Sequence, residues 1–297
     1  MKSIILSLTP ETSLVQSLVK NLGFALGFVN HRQFPDGETY IRIDSSVADC
    51  DVIIVESLYQ PDTAILPLLF LAKTARALGA KRVGLCAPYL AYMRQDKQFQ
   101  PGEGVTSEYF AELISHYFDW MVTVDPHLHR HHALKEIYTI PTAVAQAAPL
   151  LAQWIKASVK KPVIVGPDAE SEQWVQVVSK EAGVPYIILQ KTRQGDESVS
   201  VAAVDMTRYQ DHTPVLVDDI ISSAHTMIEA QRLLQDNHLL PAVCIGVHAV
   251  FAPGAFELLR QSGVNQIVTC NTVEHSSNRI DCSGILIDAI STMTKDS

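Results

Sequence analysis

The segment Val52-Ile53-Ile54-Val55 opens the pattern that decides the fold. This short β-branched run is followed by an amphipathic stretch at about residues 63–78 and by a second apolar run at residues 83–87. A strand, a helix and a strand in this order predict a right-handed βαβ unit with parallel strands. Because the runs are apolar throughout and do not alternate, we expect helices to cover both faces of the sheet.

The second half of the chain repeats this pattern. Val215-Leu216-Val217 begins the repeat, and a helical stretch follows at about residues 226–235. The apolar runs that correspond in the two halves are residues 4–8 and 163–165, 52–55 and 215–217, 83–87 and 243–247, and 121–124 and 266–269. The first three runs are spaced almost equally in both halves, which predicts a duplicated α/β domain.

The two predicted copies differ between their third and fourth strands. The first half carries an insertion there, which includes the charged residues 92–99. We place the domain boundary after Pro141, before a predicted helix at residues 142–156, and expect domains at residues 1–141 and 142–297. Each domain is expected to be a mainly parallel sheet flanked by helices. A charged loop in only one copy is where the functions of the copies should differ.

Composition excludes several classes of protein. The 297 residues are 47% hydrophobic and carry a formal net charge of −9, which argues against a general nucleic-acid binder. Residues 239–256 lack charged side chains but contain Pro and Gly, so a buried strand fits better than a membrane span. The apolar run at residues 4–8 is too short for a signal peptide. We therefore expect a cytoplasmic protein whose five widely spaced cysteines are buried thiols.

The strongest chemical motif follows the strand at residues 215–217. Asp218 and Asp219 come directly after the strand, and the short polar turn at residues 222–226 opens a helix. A helix N-terminus suits a phosphate group, and the two carboxylates suit the hydroxyl groups of a sugar. The alternative is a structural turn in which Ser223 or Thr226 caps the helix.

Two further segments carry candidate functional groups. Asp168 follows the strand at residues 163–165, where ligands bind in open parallel sheets, and a carboxylate there suits Mg²⁺. Lys191 and Arg193 precede a polar, Gly-containing segment, which predicts a mobile loop with two cations. The alternative for these two residues is an ordinary basic pair on the surface.

Four histidines lie within residues 127–132, directly after Asp125 and Pro126. This density raises the alternative of a zinc site, but there is no partnering Cys pair and a tetrahedral site would need the chain to fold back. We expect His129 to line the ligand-binding site, and His131 and His132 to be solvated.

Taken together, these segments resemble the ribose-phosphate pyrophosphokinase (PRPP synthetase) family from the N-terminus to about residue 275. The segment at residues 218–226 resembles the PRPP-binding motif of type I phosphoribosyltransferase folds. The other segments that carry the resemblance are residues 34–38, 89–97, 125–132, 166–172 and 191–193. The resemblance implies two tandem phosphoribosyltransferase-like domains. It also implies transfer of a diphosphoryl group from Mg-ATP to the 1-hydroxyl of ribose 5-phosphate, giving PRPP and AMP.

The resemblance also implies roles for individual residues. The implied ATP-binding residues are Phe34, Asp36, Glu38, Arg94, Gln95 and His127, and the implied Mg²⁺ contacts are His127 and Asp168. The implied catalytic cations are Lys191 and Arg193. The implied ribose 5-phosphate site comprises Asp218, Asp219, Ser222, Ser223, Ala224, His225 and Thr226. In this family the turn at Phe34 reaches the ATP of a neighbouring subunit, which implies a homo-oligomer, a dimer or a multiple of dimers.

The chain departs from the family pattern at two places. Glu170 and Glu172 stand where relatives have small residues, and His225 stands where many have Gly. A non-Gly residue fits poorly where the backbone needs a positive φ. These departures leave open a non-catalytic regulatory subunit related to the synthetase. The motif at residues 218–226, taken alone, leaves open a phosphoribosyltransferase that consumes PRPP.

Overall fold

The computed structural model describes residues 2–128, 130–168, 171–189, 191–194, 198–201 and 206–295. The chain divides into two compact units, Met1–Gln146 with Cys282–Ser297, and Ala147–Asp281. This division differs from the sequence-based one at residues 141/142. It falls slightly later, and it groups the last helix with the first unit.

The strands of the first unit are β1 (Lys2–Leu6), β2 (Ala25–Leu26), β3 (Val29–Gln33), β4 (Thr39–Ile43), β5 (Cys50–Val55), β6 (Arg82–Ala87), β7 (Trp120–Val124) and β8 (Thr142–Ala145). Those of the second unit are β9 (Pro162–Gly166), β10 (Tyr186–Ile188), β11 (Lys191–Gln194), β12 (Ser198–Val201), β13 (Thr213–Ile221), β14 (Val243–Ala249), β15 (Gln266–Cys270) and β16 (Asn278–Ile280).

The helices, in chain order, are α1 (Ser13–Leu22), α2 (Pro61–Ala77), α3 (Thr106–Tyr117), α4 (Ala148–Ser158), α5 (Glu172–Ala182), α6 (His225–Asp236), α7 (Ala255–Gln261) and α8 (Ser283–Lys295). Short 3-10 helices lie at Leu134–Glu136 and Thr207–Tyr209. Within the described residues, no helix combines the length and the apolarity needed to cross a membrane.

Both units have the same sheet topology within the described residues. The strand order is β2-β1-β5-β6-β7-β8 in the first unit and β10-β9-β13-β14-β15-β16 in the second. Every neighbouring pair in these two sheets is parallel. Each unit also has an antiparallel hairpin, β3–β4 or β11–β12, at the corresponding place in the chain. The predicted α/β class and the predicted parallel sheets are confirmed.

The central strands are buried along their whole length. All six residues of β5 and all seven of β14 are buried, as expected for a sheet with helices on both faces. All five cysteines are buried thiols, as the sequence predicts. Trp120 in β7 is fully buried, and its indole lies against the backbone of Gly84 in the neighbouring strand.

The prediction of a helix at residues 142–156 is wrong for its first residues. Residues Thr142–Ala145 form β8, which pairs in parallel with β7, and α4 begins only at Ala148. A four-residue apolar segment has no periodicity that separates strand from helix, so the ladder with β7 decides its structure. Pro149 in the first turn of α4 marks the true start of the helix.

Helix α8 completes the first unit. It packs against α1, β7 and β8 and buries Leu286 and Ile290. The guanidinium of Arg82 donates a hydrogen bond to the carbonyl oxygen of Met293 at 3.0 Å. These contacts explain why the end of the chain belongs to the first unit, which the strand and helix pattern alone does not show.

Candidate active site

Three carboxylates lie together at the carboxyl edge of the sheet in the second unit. Asp168 follows β9, and Asp218 and Asp219 lie within β13, which continues to Ile221 instead of ending before the acids. The backbone N–H of Asp219 donates a hydrogen bond to Oδ1 of Asp218 at 3.0 Å. Burial and the negative charges of Asp219 and Asp168 raise the pKa of Asp218 well above its usual range.

This cluster is electrostatically suited to a cation or to hydroxyl donors. Like charges in a partly buried site disfavour ionisation, and a divalent cation or hydrogen-bond donors would relieve that repulsion. The oxygen-only donor set fits Mg²⁺, which takes one or two carboxylates and completes its shell with water and phosphate. In the described part of the chain, no group of three or more His, Cys, Asp or Glu side chains is arranged so that it could hold a metal ion by itself.

The side chain of Asp168 is also held by its own loop. The backbone N–H of Ser171 donates to Oδ1 of Asp168 at 3.1 Å, and the Ser171 hydroxyl donates to the Asp168 carbonyl at 2.7 Å. These bonds fix the turn that leads into α5. Glu172 is exposed at the start of α5 and accepts a hydrogen bond from Gln176 at 3.1 Å, whereas Glu170 lies outside the described residues.

The turn between β13 and α6 leads directly into the N-terminus of the helix. The cap residue of α6, Ala224, makes no side-chain hydrogen bond to the start of the helix, where the first N–H groups lack intrahelical partners. The carbonyl oxygen of Ser222 accepts a hydrogen bond from the Ala252 N–H at 3.1 Å, which holds the start of the turn. Ser223 and His225 are exposed, and Thr226 is partly buried.

His225, which stands where many relatives have Gly, does not occupy a left-handed position. His225 is the first residue of α6, and the positive φ, 62°, belongs to Ala224 before it. Ala is the smallest residue that has a Cβ, and it tolerates this conformation better than a branched side chain does. The backbone therefore accommodates His225 without strain, and its exposed imidazole stands at the open N-terminus of the helix.

Lys191 and Arg193 lie on a strand and not in the loop predicted from composition. They belong to β11, which pairs with β12 so that Lys191 faces Val201 and Arg193 faces Val199 in register. Their side chains lie outside what the structure describes. The hairpin β11–β12 occupies the place in its unit that β3–β4 occupies in the first.

In the first unit, the turn at residues 34–38 connects β3 and β4. The Phe34 N–H donates to the Glu38 carbonyl at 2.8 Å, and the Gly37 N–H donates to the Phe34 carbonyl at 2.9 Å. Phe34 is 40% exposed, and Asp36 and Glu38 are exposed as well. The guanidinium of Arg32 lies 4.8 Å from the centre of the Phe34 ring and supports it from one side. The turn thus presents an aromatic ring and two carboxylates outward.

The insertion between β6 and α3 carries Arg94 and Gln95. Arg94 is exposed. The Gln95 side chain accepts a hydrogen bond from the Thr106 hydroxyl at 3.1 Å, and its carbonyl accepts one from the Ser107 N–H at 3.3 Å. Gln95 is therefore held against the start of α3, whereas Arg94 is exposed at the surface.

The loop after β7 begins at Asp125, whose backbone N–H donates to the Ala145 carbonyl at 3.1 Å. His127 is partly buried, and His129 lies outside the described residues. His132 is exposed, but the expectation that His131 is solvated is wrong. The His131 side chain is 16% exposed, and its Nδ1 lies 3.6 Å from a carboxylate oxygen of Glu136. The loop packs back on the 3-10 helix that contains Glu136, and this packing buries His131.

Two features of the first unit escaped the sequence analysis. The buried carboxylate of Asp96, next to Gln95, forms an ion pair with Arg130. Glu56 directly follows β5, as Asp218 directly follows the apolar part of β13, and the Glu56 carboxylate accepts the Leu8 N–H at 3.2 Å. Burial raises the pKa of Glu56 to about 7. An acidic residue directly follows the corresponding apolar run in both halves of the chain, and this pattern could have identified Glu56 from the sequence.

Comparison with known proteins identifies the family. Residues 3–117 match the family described as the N-terminal domain of ribose phosphate pyrophosphokinase, and residues 133–283 match the phosphoribosyl transferase domain. The ribose-phosphate pyrophosphokinase of Sulfolobus acidocaldarius is 30% identical over 93% of this chain and 95% of its own length. That of Sulfurisphaera tokodaii is 29% identical over the same shares, 93% and 95%.

A solved structure shares the fold over the whole chain. The phosphoribosylpyrophosphate synthetase from Mycobacterium smegmatis is 23% identical, covers 100% of both chains and superposes with a TM-score of 0.88. The resemblance inferred from the ordered sequence segments is thus confirmed. This chain belongs to the ribose-phosphate pyrophosphokinase family of enzymes.

Proposed function

We propose that this enzyme transfers the diphosphoryl group of Mg-ATP to the 1-hydroxyl of ribose 5-phosphate, giving PRPP and AMP. The observation that carries the proposal is the carboxyl edge of the second unit. There, three acids lie near the start of α6, whose cap residue Ala224 makes no side-chain hydrogen bond to the helix. A sugar phosphate offers the matching chemistry, with hydroxyl groups for the carboxylates and a phosphate for the helix N–H groups.

The second unit is proposed to bind ribose 5-phosphate. Asp218 and Asp219 would accept hydrogen bonds from the ribose hydroxyls and orient the 1-hydroxyl. The turn from Ser222 to Thr226, including Ser223, Ala224 and His225, would hold the 5-phosphate. The exposed imidazole of His225 adds a further donor at the end of the helix. Binding in a fixed orientation is itself a large part of the catalysis of phosphoryl transfer.

The first unit is proposed to bind ATP. Phe34 would stack on the adenine, and Asp36 and Glu38 would hydrogen-bond it. Arg94 would contact the phosphates, since a guanidinium binds phosphate oxygens in pairs. Gln95 and His127 would complete the contacts. The exposure of Phe34 and Arg94 supports these roles.

Charge neutralisation would come from two sources. Mg²⁺, when bound with ATP near His127 and Asp168, would offset negative charge on the phosphate oxygens. Lys191 and Arg193 would stabilise the diphosphoryl group as it moves from ATP to the sugar oxygen. The 1-hydroxyl oxygen of the ribose attacks the β-phosphorus of ATP. The bond between this oxygen and the β-phosphorus forms as the bond between the β-phosphorus and AMP breaks, so no covalent enzyme intermediate is needed.

A homo-oligomer, a dimer or a multiple of dimers, is part of the proposal. The turn at Phe34 is exposed, and large apolar side chains of the first unit are exposed nearby in sequence and on α2. These exposed side chains are Phe28 (77%), Leu66 (55%) and Phe70 (46%). Such side chains are typical of surfaces that subunits cover.

The reaction can be tested directly. The full chain is incubated with Mg-ATP and ribose 5-phosphate, and PRPP and AMP are quantified by ³¹P NMR. Equal amounts of the two products are expected, with none when ribose 5-phosphate is omitted or Mg²⁺ is chelated. AMP release that does not depend on ribose 5-phosphate would overturn the proposal. Pyrophosphate release from PRPP and a nucleobase would indicate a phosphoribosyltransferase instead.

Two variants separate the proposed roles. Lys191→Ala should lower kcat by roughly 100-fold or more, because it removes a charge that acts in the transition state. Lys160→Ala, at an exposed lysine of the same unit, is the matched control and should retain full activity. An unchanged kcat in Lys191→Ala would show that the assigned catalytic role is wrong.

Subunit sharing of the ATP site can be tested by mixing variants. Phe34→Ala and Lys191→Ala should each be nearly inactive alone. If the turn at Phe34 serves a neighbouring subunit, co-refolded mixtures form some sites with both residues intact, and activity returns. A mixture as inactive as its components would place Phe34 at its own subunit's site.

A further inference from the structure

An ion pair between an exposed guanidinium and a buried carboxylate joins the two proposed ATP-binding segments of the first unit. Nη1 of Arg130 lies 2.8 Å from Oδ1 of Asp96. The Asp96 side chain is only 3% exposed, whereas that of Arg130 is 44% exposed. A carboxylate buried to this degree needs a cationic partner, because an unpaired charge away from water is strongly unfavourable. The pair therefore constrains both chain segments.

The position of the pair in the sequence links it to the ligand contacts. Asp96 directly follows Arg94 and Gln95, and Arg130 lies three residues after His127. The insertion after β6 and the loop after β7 are far apart in sequence and meet at this pair. A displacement of either segment would break the 2.8 Å contact.

An aromatic ring strengthens the junction. The guanidinium carbon of Arg130 lies 5.4 Å from the centre of the Phe99 ring, and Nζ of Lys97 lies 5.0 Å from the same centre. The insertion thus contacts Arg130 both through the Asp96 carboxylate and through an aromatic face. Two different interactions hold one guanidinium, so its orientation is well defined.

We propose that Arg130 is a positioning residue, which sets the separation of Arg94 and Gln95 from His127 through its ion pair with Asp96. This inference rests on the proposed function, since it takes those residues as the ATP contacts. The pair selects the arrangement of the two loops that binds the nucleotide, and its loss weakens ATP binding without altering ribose 5-phosphate binding.

A second ion pair of the first unit supplies a matched control. Asp51 and Arg82 lie at the amino ends of β5 and β6, with Oδ2 and Nη1 3.5 Å apart. The Asp51 side chain is 2% exposed and that of Arg82 is 26% exposed, so the carboxylate is about as buried as that of Asp96 and the guanidinium is more buried than that of Arg130. It lies at the opposite end of the strands from the loops that carry His127 and Arg94.

The test measures KM for ATP and for ribose 5-phosphate in PRPP formation, with unfolding temperatures alongside. Arg130→Met should raise KM for ATP roughly tenfold and leave KM for ribose 5-phosphate unchanged. Arg130→Lys, which keeps the charge, should recover part of the loss. Arg82→Met should lower the unfolding temperature but leave both KM values unchanged.

A double-mutant cycle separates positioning from direct contact. If Arg130 acts through Asp96, then Arg130→Met and Asp96→Asn together should raise KM for ATP no more than either change alone. Additive effects would show that Arg130 contacts ATP itself and would overturn the proposal. The proposal would also be overturned if the single variants Arg130→Lys and Asp96→Asn both left KM for ATP unchanged. This result would be decisive even if Arg130→Met failed to fold. An inactive wild type would instead count against the proposed function.

Discussion

Gln60 in the first unit and Ala224 in the second hold equivalent positions. Each directly precedes the helix that follows a central strand, α2 or α6, and each has a left-handed backbone, with φ values of 51° and 62°. The residues that follow differ. Pro61 lacks an N–H, and the carboxylate of Asp62 is hydrogen-bonded to the Tyr92 hydroxyl. An acid and a missing donor oppose phosphate binding, so of these two helix starts only that of α6 suits a phosphate.

The left-handed backbone at Ala224 leads to the first prediction. Ala224→Val should destabilise the protein by about 1–3 kcal/mol and raise KM for ribose 5-phosphate, because a β-branched residue resists a positive φ. Ala224→Gly should leave the KM unchanged. Urea unfolding and steady-state kinetics measure the two effects. Gln60→Val is the matched control, which should lose similar stability without any change in KM for ribose 5-phosphate.

The carboxylate cluster leads to the second prediction, which concerns Asp218. A carboxyl group whose pKa is higher in the folded protein than in the unfolded chain binds its proton more tightly when folded. Its contribution to stability is complete below the unfolded pKa, roughly 4, and is lost as the pH rises through the folded pKa. Because the pKa of Asp218 is raised, this loss should occur above pH 4 in the ligand-free protein.

Asp218→Asn removes the titrating carboxyl group, so it should abolish this loss of stability above pH 4. The same change also removes the proposed contact with the sugar. The variant should unfold at a higher temperature than the wild type at pH 7 without ligands, and it should lose most of its activity. Adding Mg²⁺ and ribose 5-phosphate should stabilise only the wild type. Asp211→Asn, at an exposed residue whose pKa is lowered by Lys161 and His212, should keep full activity. Equal pH dependence in wild type and Asp218→Asn would contradict the assigned repulsion.

The third prediction concerns the buried carboxyl of Glu56. Its pKa of about 7, raised by burial from an ordinary 4.5, means that folding loses stability as the pH rises from 5 to 8. This shift corresponds to about 3 kcal/mol at most. Glu56→Gln keeps an oxygen that accepts the Leu8 N–H, so the variant should be less sensitive to pH. Urea unfolding at pH 5 and pH 8 measures the free energy of unfolding of both proteins. The same change in this free energy between the two pH values in wild type and Glu56→Gln would refute the prediction.

The fourth prediction concerns packing in the first unit. A Cβ added at Gly84 would lie 2.0 Å from Cε2 of Trp120, with two further ring atoms within 2.5 Å. Because the indole is fully buried and has no room to move, Gly84→Ala should cost about 3 kcal/mol or more. Gly84→Ala combined with Trp120→Phe should recover part of that loss. Gly284→Ala, where no atom lies within 4 Å, should be neutral or slightly stabilising. Denaturant unfolding compares all four proteins.

Most of the fold was predictable from sequence. The apolar runs of β5 and β13 and the helices after them identify the βαβ units, because burial on both faces imposes continuous apolar strands. The boundary residues were less predictable. Thr142–Ala145 forms a strand only because β7 offers an unpaired edge, and Lys191–Gln194 forms one only because it pairs with Ser198–Val201. Pairing partners distant along the chain leave no local signal.

The candidate site divides in the same way. Asp218, Asp219 and Asp168 were predictable, because an acid after an apolar strand lies at the ligand edge of a parallel sheet. The Asp96–Arg130 pair was not, since its members are far apart in sequence and nothing local indicates that they meet. The burial of His131 against Glu136 is a further case in which solvation depended on how a loop folds back.

The sequence by itself therefore determined the duplicated α/β architecture, the family and the identity of the acids and cations proposed for the reaction. Periodicity, composition and strand-end chemistry are local properties that can be read along the chain. Only the tertiary structure decided that the positive φ belongs to Ala224 and not to His225, that α8 belongs with the first unit, and that Arg130 is joined to Asp96. Each of these three features depends on contacts between segments that are distant along the chain. The energies of such contacts exceed the local conformational preferences of the residues involved.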